Sequence, residues 1–549
     1  MKNTSLFLSI LIVILMSIAC TENRKEADLI IYNAKIYTID KYFSTSQAMA
    51  VSKGIILETG TDSDIMRKYN SENMINAGTK PIYPGFIDAH SHFTGYARGL
   101  QQASLREAFS FEHVLEIMQQ HAANHNTEWL LGRGWDQNKW QDKSFPVHHQ
   151  LSEIFPDVPV VLIRIDGHAV IVNQEAMNRL GIDDDTLFPE GEAIYHNGKL
   201  SGVFLEHSAD RFKNAVPPLN QNELITALQE AQKNCFEAGL TSVCDAGLDK
   251  NTVLLIDSLQ QKGKLKIRIY AMLNPTDENI DYFVKNGVYK TGRLSIRSIK
   301  LYADGALGSR GARLLEPYYD APEQLGIWVD DADVIRKYSE IAYNNGYQMN
   351  IHAIGDAAVR RVIDVYSEFL NEKNDLRWRI EHAQVVHPDD FQRLGQYSII
   401  PSIQSTHATS DMYWAGQRLG NERLKYSYAQ KMLLNENGWL PNGTDFPIEE
   451  IYPIHTFYAA VFRKDHSGYP EDGFQMENAL SREEALRSMT IWAAKATFEE
   501  KEKGSLEAGK IADFIMTDLD IMQISEKDIL NTKILSTWVG GKKVSGKEN

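Results

Sequence analysis

The sequence predicts an α/β fold, a (β/α)8 barrel accompanied by a small β-sandwich built from both chain ends. Strand-like apolar runs alternate with amphipathic helical segments through the middle of the chain, and such repeated β-then-α units indicate a parallel sheet. The number of units favours a sheet that closes into a barrel. Both ends instead carry short strands separated by turn signals, and no fixed-period repeat indicates a solenoid.

The two β-rich ends define the smaller domain. Near the start, "ADLIIYNAKIYTID" and "AMAVSKGIILETG" alternate β-formers with turn residues. The same pattern occurs near the end, in "GSLEAGKIADFIMTDLD" and "ILSTWVGGKKV". We therefore expect residues 27–83 and 501–549 to pair into one β-sandwich, although they are far apart in the chain.

Residues 84–500 are expected to form the barrel domain. Helical stretches such as "AAVRRVIDVYSEFLNEK" place apolar residues at three- and four-residue spacing between the strand-like runs. The runs include "EWLLGRGW", "VPVVLIRI", "AGLTSVCDAG", "LSIRSIKLYADG", "GYQMNIHAIG", "RWRIEHAQVV" and "GWLPNGTDFP".

Residues 1–20 are expected to be an export signal rather than part of the fold. A lysine, an apolar run and the ending "SIAC" follow the pattern of a secretory signal. The ending resembles a bacterial lipobox, so we expect Cys20 to be lipidated and to anchor an exported protein to a membrane of the cell envelope. Ser17 stands where leucine is usual, which leaves an ordinary signal or an uncleaved anchor as alternatives.

Composition and charge exclude one class of partner. The 549-residue chain is 43% hydrophobic with a formal net charge of −16, so it is globular but lacks the basic surface that nucleic acid requires. Apart from Cys20, its cysteines are Cys235 and Cys244, which we expect to be buried free thiols. The sequence leaves a homo-oligomer open.

A pair of histidines ends the first barrel run. In "YPGFIDAHSHF", His90 and His92 are one residue apart, and the side chains of a strand alternate faces with a period of two. Both imidazoles therefore point the same way and are placed to grip one metal ion. A polar pair in a surface loop is the alternative, because the bare motif is short.

Further polar residues also lie in or at the end of strand-like runs. Lys300 lies in "SIRSIKLYADG", His352 ends "GYQMNIHA", His382 ends "RWRIEH" and Asp445 ends "GWLPNGTD". The ends of barrel strands are where chemistry gathers. Each residue alone has another explanation: a core histidine, a strand-edge charge or ion pair, or a turn aspartate that caps a helix.

Together these motifs resemble the amidohydrolase superfamily, in particular the amidohydrolase family 3 branch that includes N-substituted formamide deformylases. The resemblance covers nearly the whole chain from about residue 27 onward. It is carried by "GFIDAHSHF", "LLGRGWDQNKW", "IDGHAVIVN", "IKLYADGALGSRGA", "NIHAIGDAAV", "RIEHAQV", "NGTDFPIE" and "GSLEAGKIADF".

The resemblance implies hydrolysis of an amide, N-formyl or N-acyl C–N bond in a small molecule by metal-activated water. It implies one or two divalent ions. Zinc is expected because nitrogen and oxygen ligands suit it, but these ligands also fit other divalent ions, so the identity of the metal stays open. His90 and His92 would hold the first ion, and His352 and His382 the second. Lys300, carboxylated by CO₂, would bridge the two, because a carbamate is anionic and offers two oxygens.

The resemblance also implies an acid–base group. Asp445 would contact the first ion, accept the proton of the attacking water and pass it to the leaving nitrogen. Glu206, in "SGVFLEHSADRF", matches a glutamate of the family, and we weigh it as the bridging ligand in place of Lys300 or as part of the substrate pocket. An exposed helix carboxylate is the plain alternative for Glu206.

Five more residues are candidates for contacts with the substrate. Trp135 and Asp136 follow a strand run and are expected to face the site, and His168 is a candidate catalytic residue that hydrogen-bonds the carbonyl or oxyanion. His168 is alternatively a residue that orients a ligand. Arg310 would bind a substrate carboxylate in bidentate fashion or form a loop ion pair. His407, in "IQSTHATSD", is the last candidate.

Other functions remain open at this point. A cyclic amide, a carbamate or an ester presents the same carbonyl to the same site. A non-catalytic surface-binding lipoprotein has no need of the full set of polar residues, and a phosphoesterase of the PHP type would require further carboxylate and histidine clusters in a different order.

Overall fold

The computed structural model describes residues 24–125, 128–165, 167–188 and 192–546. The expected signal and Cys20 lie outside these described residues. The described residues form two units, one within residues 24–93 together with 232–546 and the other within residues 94–231. Among the residues described, no helix has both the length and the apolar character that a membrane span requires.

Seven parallel strands follow one path through the barrel sheet of the first unit. They pair in chain order; Asn350, for instance, pairs with Lys300 on one side and with Arg379 on the other. A short strand, Tyr289–Lys290, pairs antiparallel beside this path. The seven strands are Phe86–Ser91, Leu240–Leu248, Arg268–Leu273, Leu294–Tyr302, Gln348–Ala353, Arg379–His382 and Ile400–Ser402.

Residues 441–445, here called the closing segment, join the last barrel strand to the first. The Gly443 N–H donates to Ile403 O at 2.9 Å, and on the other side the Asp445 N–H donates to His90 O at 2.8 Å. A Cβ on Gly443 would lie 2.4 Å from His90 N, so only glycine lets the two backbones approach this closely. The predicted barrel with an accompanying sheet domain is thereby confirmed.

Helices cover the barrel because one stripe of each is apolar. In Asp356–Tyr366, Val359, Val362, Ile363 and Tyr366 are buried at the spacing of one helix face. The other helices of this unit are Asp62–Lys68, Lys250–Gln261, Asp277–Tyr282, Ala332–Asn345, Pro388–Gln396, Ser405–Asp411, Ala415–Leu424, Gln430–Asn437, Pro453–Phe462, Arg482–Ser488, Ile491–Ala496 and Glu526–Ile529, with single 3₁₀ turns at Val284–Asn286 and Met476–Asn478.

Two sheets from the chain ends share one apolar core, as expected for the sandwich. The four-stranded sheet has the order Ile55–Gly60, Ala48–Ser52, Leu29–Tyr32, Met74–Asn76. The six-stranded sheet has the order Lys542–Ser545, Ile534–Val539, Phe514–Thr517, Pro81–Pro84, Lys35–Tyr37, Thr45–Ser46. A two-stranded pair, Lys25–Glu26 with Tyr69–Asn70, lies outside them. Leu29 and Met49 of the first sheet and Phe514 and Trp538 of the second belong to the same buried cluster.

A carboxylate ties the two chain ends together. Asp520 accepts hydrogen bonds from Lys35 Nζ at 2.8 Å, from the Tyr37 hydroxyl at 2.9 Å and from the Tyr83 hydroxyl at 2.9 Å. These three donors come from the N-terminal strands. Cys235 and Cys244 are buried free thiols, as the sequence predicts.

The second unit has its own six-stranded mixed sheet. Its order is Gln102–Ser104, Leu130–Trp135, Val160–Arg164, Ala169–Val172, Lys199–Leu205, Ala193–His196, with the first three strands parallel and the others antiparallel. Helices Phe93–Leu100, Phe111–Asn124, His149–Ile154, Gln174–Arg179, Glu206–Ala215 and Gln221–Glu237 accompany it, with a 3₁₀ turn at Gln137–Lys139. The runs "EWLLGRGW" and "VPVVLIRI" thus form strands of this sheet rather than barrel strands.

Candidate metal centre

Three imidazoles approach the carboxylate of Asp445. Its Oδ1 lies 3.2 Å from His92 Nε2 and 3.6 Å from His90 Nε2, and its Oδ2 lies 3.6 Å from His407 Nε2. Asp445 has a φ of 62°, a left-handed conformation that is unfavourable for a residue with a side chain and that clusters at functional sites. The closing segment thus holds Asp445 against the first barrel strand in a conformation that aims its carboxylate at the histidines.

Asp88 fastens the closing segment to the first strand. It accepts hydrogen bonds from the His90 N–H at 3.1 Å, from the Thr444 N–H at 3.1 Å and from Thr444 Oγ1 at 2.7 Å. Burial raises the pKa of Asp88 to about 7, against the effect of the hydrogen bonds from Thr444 and His90. Asp88 therefore positions the backbone that carries His90 and Asp445.

Glu381 orients His90. The His90 Nδ1–H donates to Glu381 Oε2 at 2.5 Å, which leaves Nε2 facing Asp445. Glu381 is fully buried, and Arg379 holds it with Nε 2.7 Å from Oε1 and a terminal nitrogen 2.8 Å from Oε2. Burial alone would raise the pKa of Glu381, but Arg379 and then His90 lower it well below its usual range, so the carboxylate is ionised.

Two more imidazoles are oriented in the same way. The His92 Nδ1–H donates to Ala246 O at 3.3 Å, and the His382 Nδ1–H donates to Gln404 Oε1 at 2.7 Å. In the neutral form of each ring, the hydrogen bond at Nδ1 leaves Nε2 as the unprotonated nitrogen. This is the arrangement of a histidine that binds metal through Nε2.

His352 and His382 lie side by side beyond the first group. Their ring centroids are 4.5 Å apart, and the His382 ring is 4.9 Å from that of His90 and 5.8 Å from that of His407. His352 Nε2 also lies 3.6 Å from Asp304 Oδ1. The histidines from four separate barrel positions thus form one continuous cluster.

Lys300 is fully buried in the strand Leu294–Tyr302, and within the described ranges its Nζ has no hydrogen-bond partner. Burial lowers the pKa of Lys300 to about 8, although Glu381 and Asp445 act in the opposite direction. A share of the side chain is therefore neutral amine near neutral pH, the form that acts as a nucleophile.

Burial alone would lower the pKa of His92, but the hydrogen bond and charge of Asp445 outweigh it and raise that pKa. Burial keeps His90 and His352 neutral. It lowers the pKa of His90 to about 4 and that of His352 to about 3, and the nearby Lys300 adds to both shifts. Neutral imidazole is the form that ligates metal. Burial would raise the pKa of Asp445, but His90 and the other imidazoles lower it to about 2, so Asp445 is ionised.

The donor atoms of this cluster fit a divalent metal ion. Imidazole nitrogen and carboxylate oxygen suit zinc and other first-row ions. Two ligands that each lie about 2.0–2.1 Å from a tetrahedral zinc are about 3.3 Å apart, close to the separations around Asp445. In the part of the chain that the structure describes, the buried ligand atoms without a hydrogen-bond partner include His90 Nε2, His352 Nε2, His407 Nε2 and Asp445 Oδ1.

Two candidate substrate residues, Trp135 and Asp136, have contacts within the second unit, and their roles in substrate binding remain predictions. Trp135 was expected to line the site, but it is fully buried in the core of the second unit and its indole N–H donates to Leu162 O at 2.8 Å. Asp136 accepts from the Asn138 N–H at 3.0 Å and begins a 3₁₀ turn. The Trp135 ring belongs to the buried apolar cluster of that unit, and its centroid lies 6.1 Å from that of Trp140.

His168 and Glu206 also belong to the second unit and lie against each other. His168 Nδ1 is 3.0 Å from Glu206 Oε2, and both side chains are more than half exposed. Glu206 has a φ of 47° at the start of helix Glu206–Ala215. Their roles in substrate binding remain predictions.

The Arg310 side chain forms an ion pair with Asp320. Its Nε lies 3.1 Å from Asp320 Oδ1 and a terminal nitrogen lies 2.8 Å from Oδ2, a bidentate pair. This contact corresponds to the loop ion pair rather than to an open fork for a substrate carboxylate.

The residues that support the ligands carry no motif in the sequence. Glu381, Gln404, Asp88 and Asp304 each lie within a strand or at its end, with no spacing motif to mark them. The available signal was burial: a carboxylate inside an apolar strand run, as in "RWRIEH" and "GFIDAH", requires a partner.

Comparisons with known proteins agree with this geometry. Residues 73–545 match the amidohydrolase family. Similar proteins include Protein LONG AFTER FAR-RED 3 of Arabidopsis thaliana, 30% identical over 94% of this chain and 91% of that protein. N-substituted formamide deformylase of Arthrobacter pascens is 25% identical over 94% of this chain and 97% of that protein.

A solved structure extends the comparison to three dimensions. The crystal structure of an uncharacterized metal-dependent hydrolase from Pyrococcus furiosus is 28% identical, with a TM-score of 0.76 over 90% of this chain and 100% of that one. The family match covers most of the chain, and it agrees with the motifs on which the sequence resemblance rests. The chain belongs to the amidohydrolase family.

Proposed function

We propose that this protein hydrolyses a non-peptide C–N bond, in an amide, N-formyl or N-acyl group of a small molecule. The observation that carries the proposal is the Asp445 carboxylate, 95% buried and within 3.6 Å of three imidazole nitrogens. Membership of the amidohydrolase family and the likeness to a formamide deformylase support this bond class. Cyclic amides, carbamates and esters present the same carbonyl and are the competing substrates.

The residues around Asp445 would hold the metal. His90, His92 and Asp445 would form one ligand set. His352 and His382 would form a second; their rings lie 4.5 Å apart, and the ligand atoms of His382 also group with those of His407 and Asp445. Lys300, as a carbamate, would bridge them; its burial without a partner among the described residues supports an added acceptor group there. A divalent ion such as zinc supplies Lewis acidity, which lowers the pKa of water and polarises a carbonyl.

Asp445 would carry the proton. Its ionised carboxylate accepts the proton of the attacking water at Oδ1 or Oδ2 and delivers it to the nitrogen as the C–N bond breaks. Delivery is required because an unprotonated amine anion is a poor leaving group. Glu381 keeps His90 in the tautomer that leaves Nε2 free, so it acts as a positioning residue.

A substrate panel tests the proposal. The full-length protein, freed of metal by chelation and reloaded with zinc, manganese or cobalt, is incubated with N-substituted formamides, acyl-amines, a cyclic amide, a carbamate and an ester. We expect the formamides and acyl-amines to be cleaved with the highest kcat/KM by the metal-loaded protein. Preference for the ester or the cyclic amide would overturn the bond class, and equal turnover by the metal-free protein would overturn the metal dependence.

A carbamate on Lys300 has a direct signature. Protein reloaded with metal in the presence of ¹³C-labelled bicarbonate is expected to show one slowly exchanging carbamate carbon resonance. Lys300→Met should lack that resonance. A wild-type spectrum identical to that of Lys300→Met would leave Lys300 unmodified and favour another bridge.

We also propose that Cys20 anchors the protein to a membrane, on the strength of the sequence "SIAC" alone. Several acyl chains on one cysteine give stable anchoring where a single chain does not. Labelled palmitate should be incorporated into the wild type and not into Cys20→Ala, with processing blocked by globomycin. Globomycin-insensitive processing without label would instead assign an ordinary signal.

A further inference from the structure

A second group of ligand-type side chains lies away from the Asp445 cluster. Glu450, His455 and His466 bring three potential ligand atoms within 4.8 Å of one another. Glu450 Oε2 lies 2.9 Å from His455 Nδ1 and 3.7 Å from His466 Nδ1, and the two imidazole ring centroids are 3.9 Å apart. Both Nδ1 atoms therefore face one carboxylate oxygen.

These contacts do not amount to an ordinary hydrogen-bonded cluster. His455 Nδ1 is buried and, among the residues described, has no partner that meets hydrogen-bond geometry, despite the 2.9 Å to Glu450. An unpartnered buried nitrogen is unfavourable.

The spacing corresponds to that of a metal site. Two ligands of a tetrahedral zinc are about 3.3 Å apart when each lies about 2.0–2.1 Å from the ion, and 2.9 Å and 3.7 Å bracket this value. The separations around Asp445 are similar, at 3.2 Å and 3.6 Å. Two nitrogens and one oxygen select first-row transition ions over calcium or magnesium, which prefer oxygen ligands.

The surrounding structure holds the ligands in place. His455 lies in the first turn of helix Pro453–Phe462. His466 lies in a turn organised by Asp465, whose Oδ1 accepts from the Ser467 N–H at 2.8 Å and from the Tyr469 N–H at 3.0 Å. Ordered backbone on both sides lowers the entropy that binding an ion has to overcome.

We propose that Glu450, His455 and His466 bind a divalent transition-metal ion at a site separate from the Asp445 centre. The chain supplies three ligands, so one position is left for water or another donor. The ion would tie the segment after Asp445 to the turn that follows helix Pro453–Phe462. Side-chain exposures of 60% for Glu450 and 49% for His466 make the site accessible to free ions.

Measuring how many metal ions the full-length protein binds tests this site. Chelated protein is titrated with Co²⁺ while visible absorption is recorded, and bound metal is measured after gel filtration. We expect His455→Ala/His466→Ala to bind about one equivalent less Co²⁺ than wild type and to lose a matching part of the absorption. Hydrolytic turnover should be retained, because neither histidine belongs to the Asp445 centre, so this outcome is independent of the proposed substrate.

Two further variants keep the result interpretable. Glu450→Gln removes only the carboxylate charge and should weaken the same equivalent at least about tenfold, since ligand loss typically has effects of this size or larger. His207→Ala is the matched control, because His207 faces Glu192 at 3.4 Å but belongs to no three-residue ligand group among the described residues, and it should bind as much Co²⁺ as wild type. Equal stoichiometry in wild type, the double variant and Glu450→Gln would overturn the site, as would an equal loss in His207→Ala.

Discussion

Replacing Asp445 by asparagine removes the carboxylate that three imidazoles approach while keeping nearly the same shape. If Asp445 moves the proton, kcat of Asp445→Asn should fall by about 10²–10⁴-fold, the usual contribution of a general acid–base group. The histidines and Lys300 should retain much of the metal. The measurements are kcat on a cleaved formamide and bound metal after gel filtration.

A cap or turn role for Asp445 predicts a different result. Asparagine replaces aspartate well at a helix cap, so turnover would survive almost unchanged. Near-wild-type kcat in metal-replete Asp445→Asn would therefore remove Asp445 from proton transfer.

Glu381 tests positioning rather than proton transfer. Glu381→Gln takes away the charge that orients His90 and pairs with buried Arg379, so metal affinity should fall by about 10–100-fold. The loss should be visible as faster metal transfer to a chelator, and excess metal should restore much of the activity. A variant that is destabilised but binds metal like wild type would assign Glu381 a purely structural role.

Much of the cluster was predictable because its residues lie at or near the ends of barrel strands. His90 and His92 share a face by simple alternation, and Asp445 stood out after an apolar run. Glu381 was not predicted, because alternation places it on the face opposite His382. Positive φ values at His382 (75°) and Ala383 (42°) interrupt the regular strand there, and both Glu381 and His382 lie against His90.

At the scale of elements, Asp520 links the strands of the two chain ends. Asp520→Asn should lower the free energy of unfolding by about 1–3 kcal/mol at pH 7, because three donors lose a charged acceptor. Thermal melts of wild type and variant measure the difference. Asp281→Asn is the control, since its ion pair with Lys285 is exposed on both sides and contributes little.

The stability difference between wild type and Asp520→Asn should depend on pH. Burial alone would raise the pKa of Asp520, but the hydrogen bonds from Lys35, Tyr37 and Tyr83 lower it. The stabilisation is therefore present above the unfolded pKa of about 3.9 and is lost as pH falls through the lower folded value. The gap between the melts of wild type and Asp520→Asn should narrow below about pH 4; a gap independent of pH would contradict this.

Whether a segment forms a strand was easier to predict than which sheet the strand joins. Both "EWLLGRGW" and "VPVVLIRI" have the apolar composition of strands, and both are strands. The composition of a strand does not determine which sheet it joins, because strand pairing depends on contacts with residues that are distant in the sequence. Residues 94–231 therefore form a unit that local pattern alone did not separate from the barrel.

Metal removal is the test at the scale of the whole molecule. Chelation should abolish hydrolysis and lower Tm, since an ion that binds only the folded protein stabilises it, by about 2.7 kcal/mol at a concentration of 100 times Kd. Adding zinc back should restore both. Loss of activity with an unchanged Tm would indicate that the ion binds too weakly to contribute to folding stability.

The six-stranded sheet built from the two chain ends cannot be completed until late in the synthesis of the chain. Strand Pro81–Pro84 pairs with Phe514–Thr517, which leaves the ribosome only when nearly the whole chain has been synthesised. Until then, the early strand presents an unpaired edge, the kind of surface through which chains aggregate. A nascent chain stalled before Phe514 should accordingly be held by chaperones or degraded, whereas the finished chain should fold and release them.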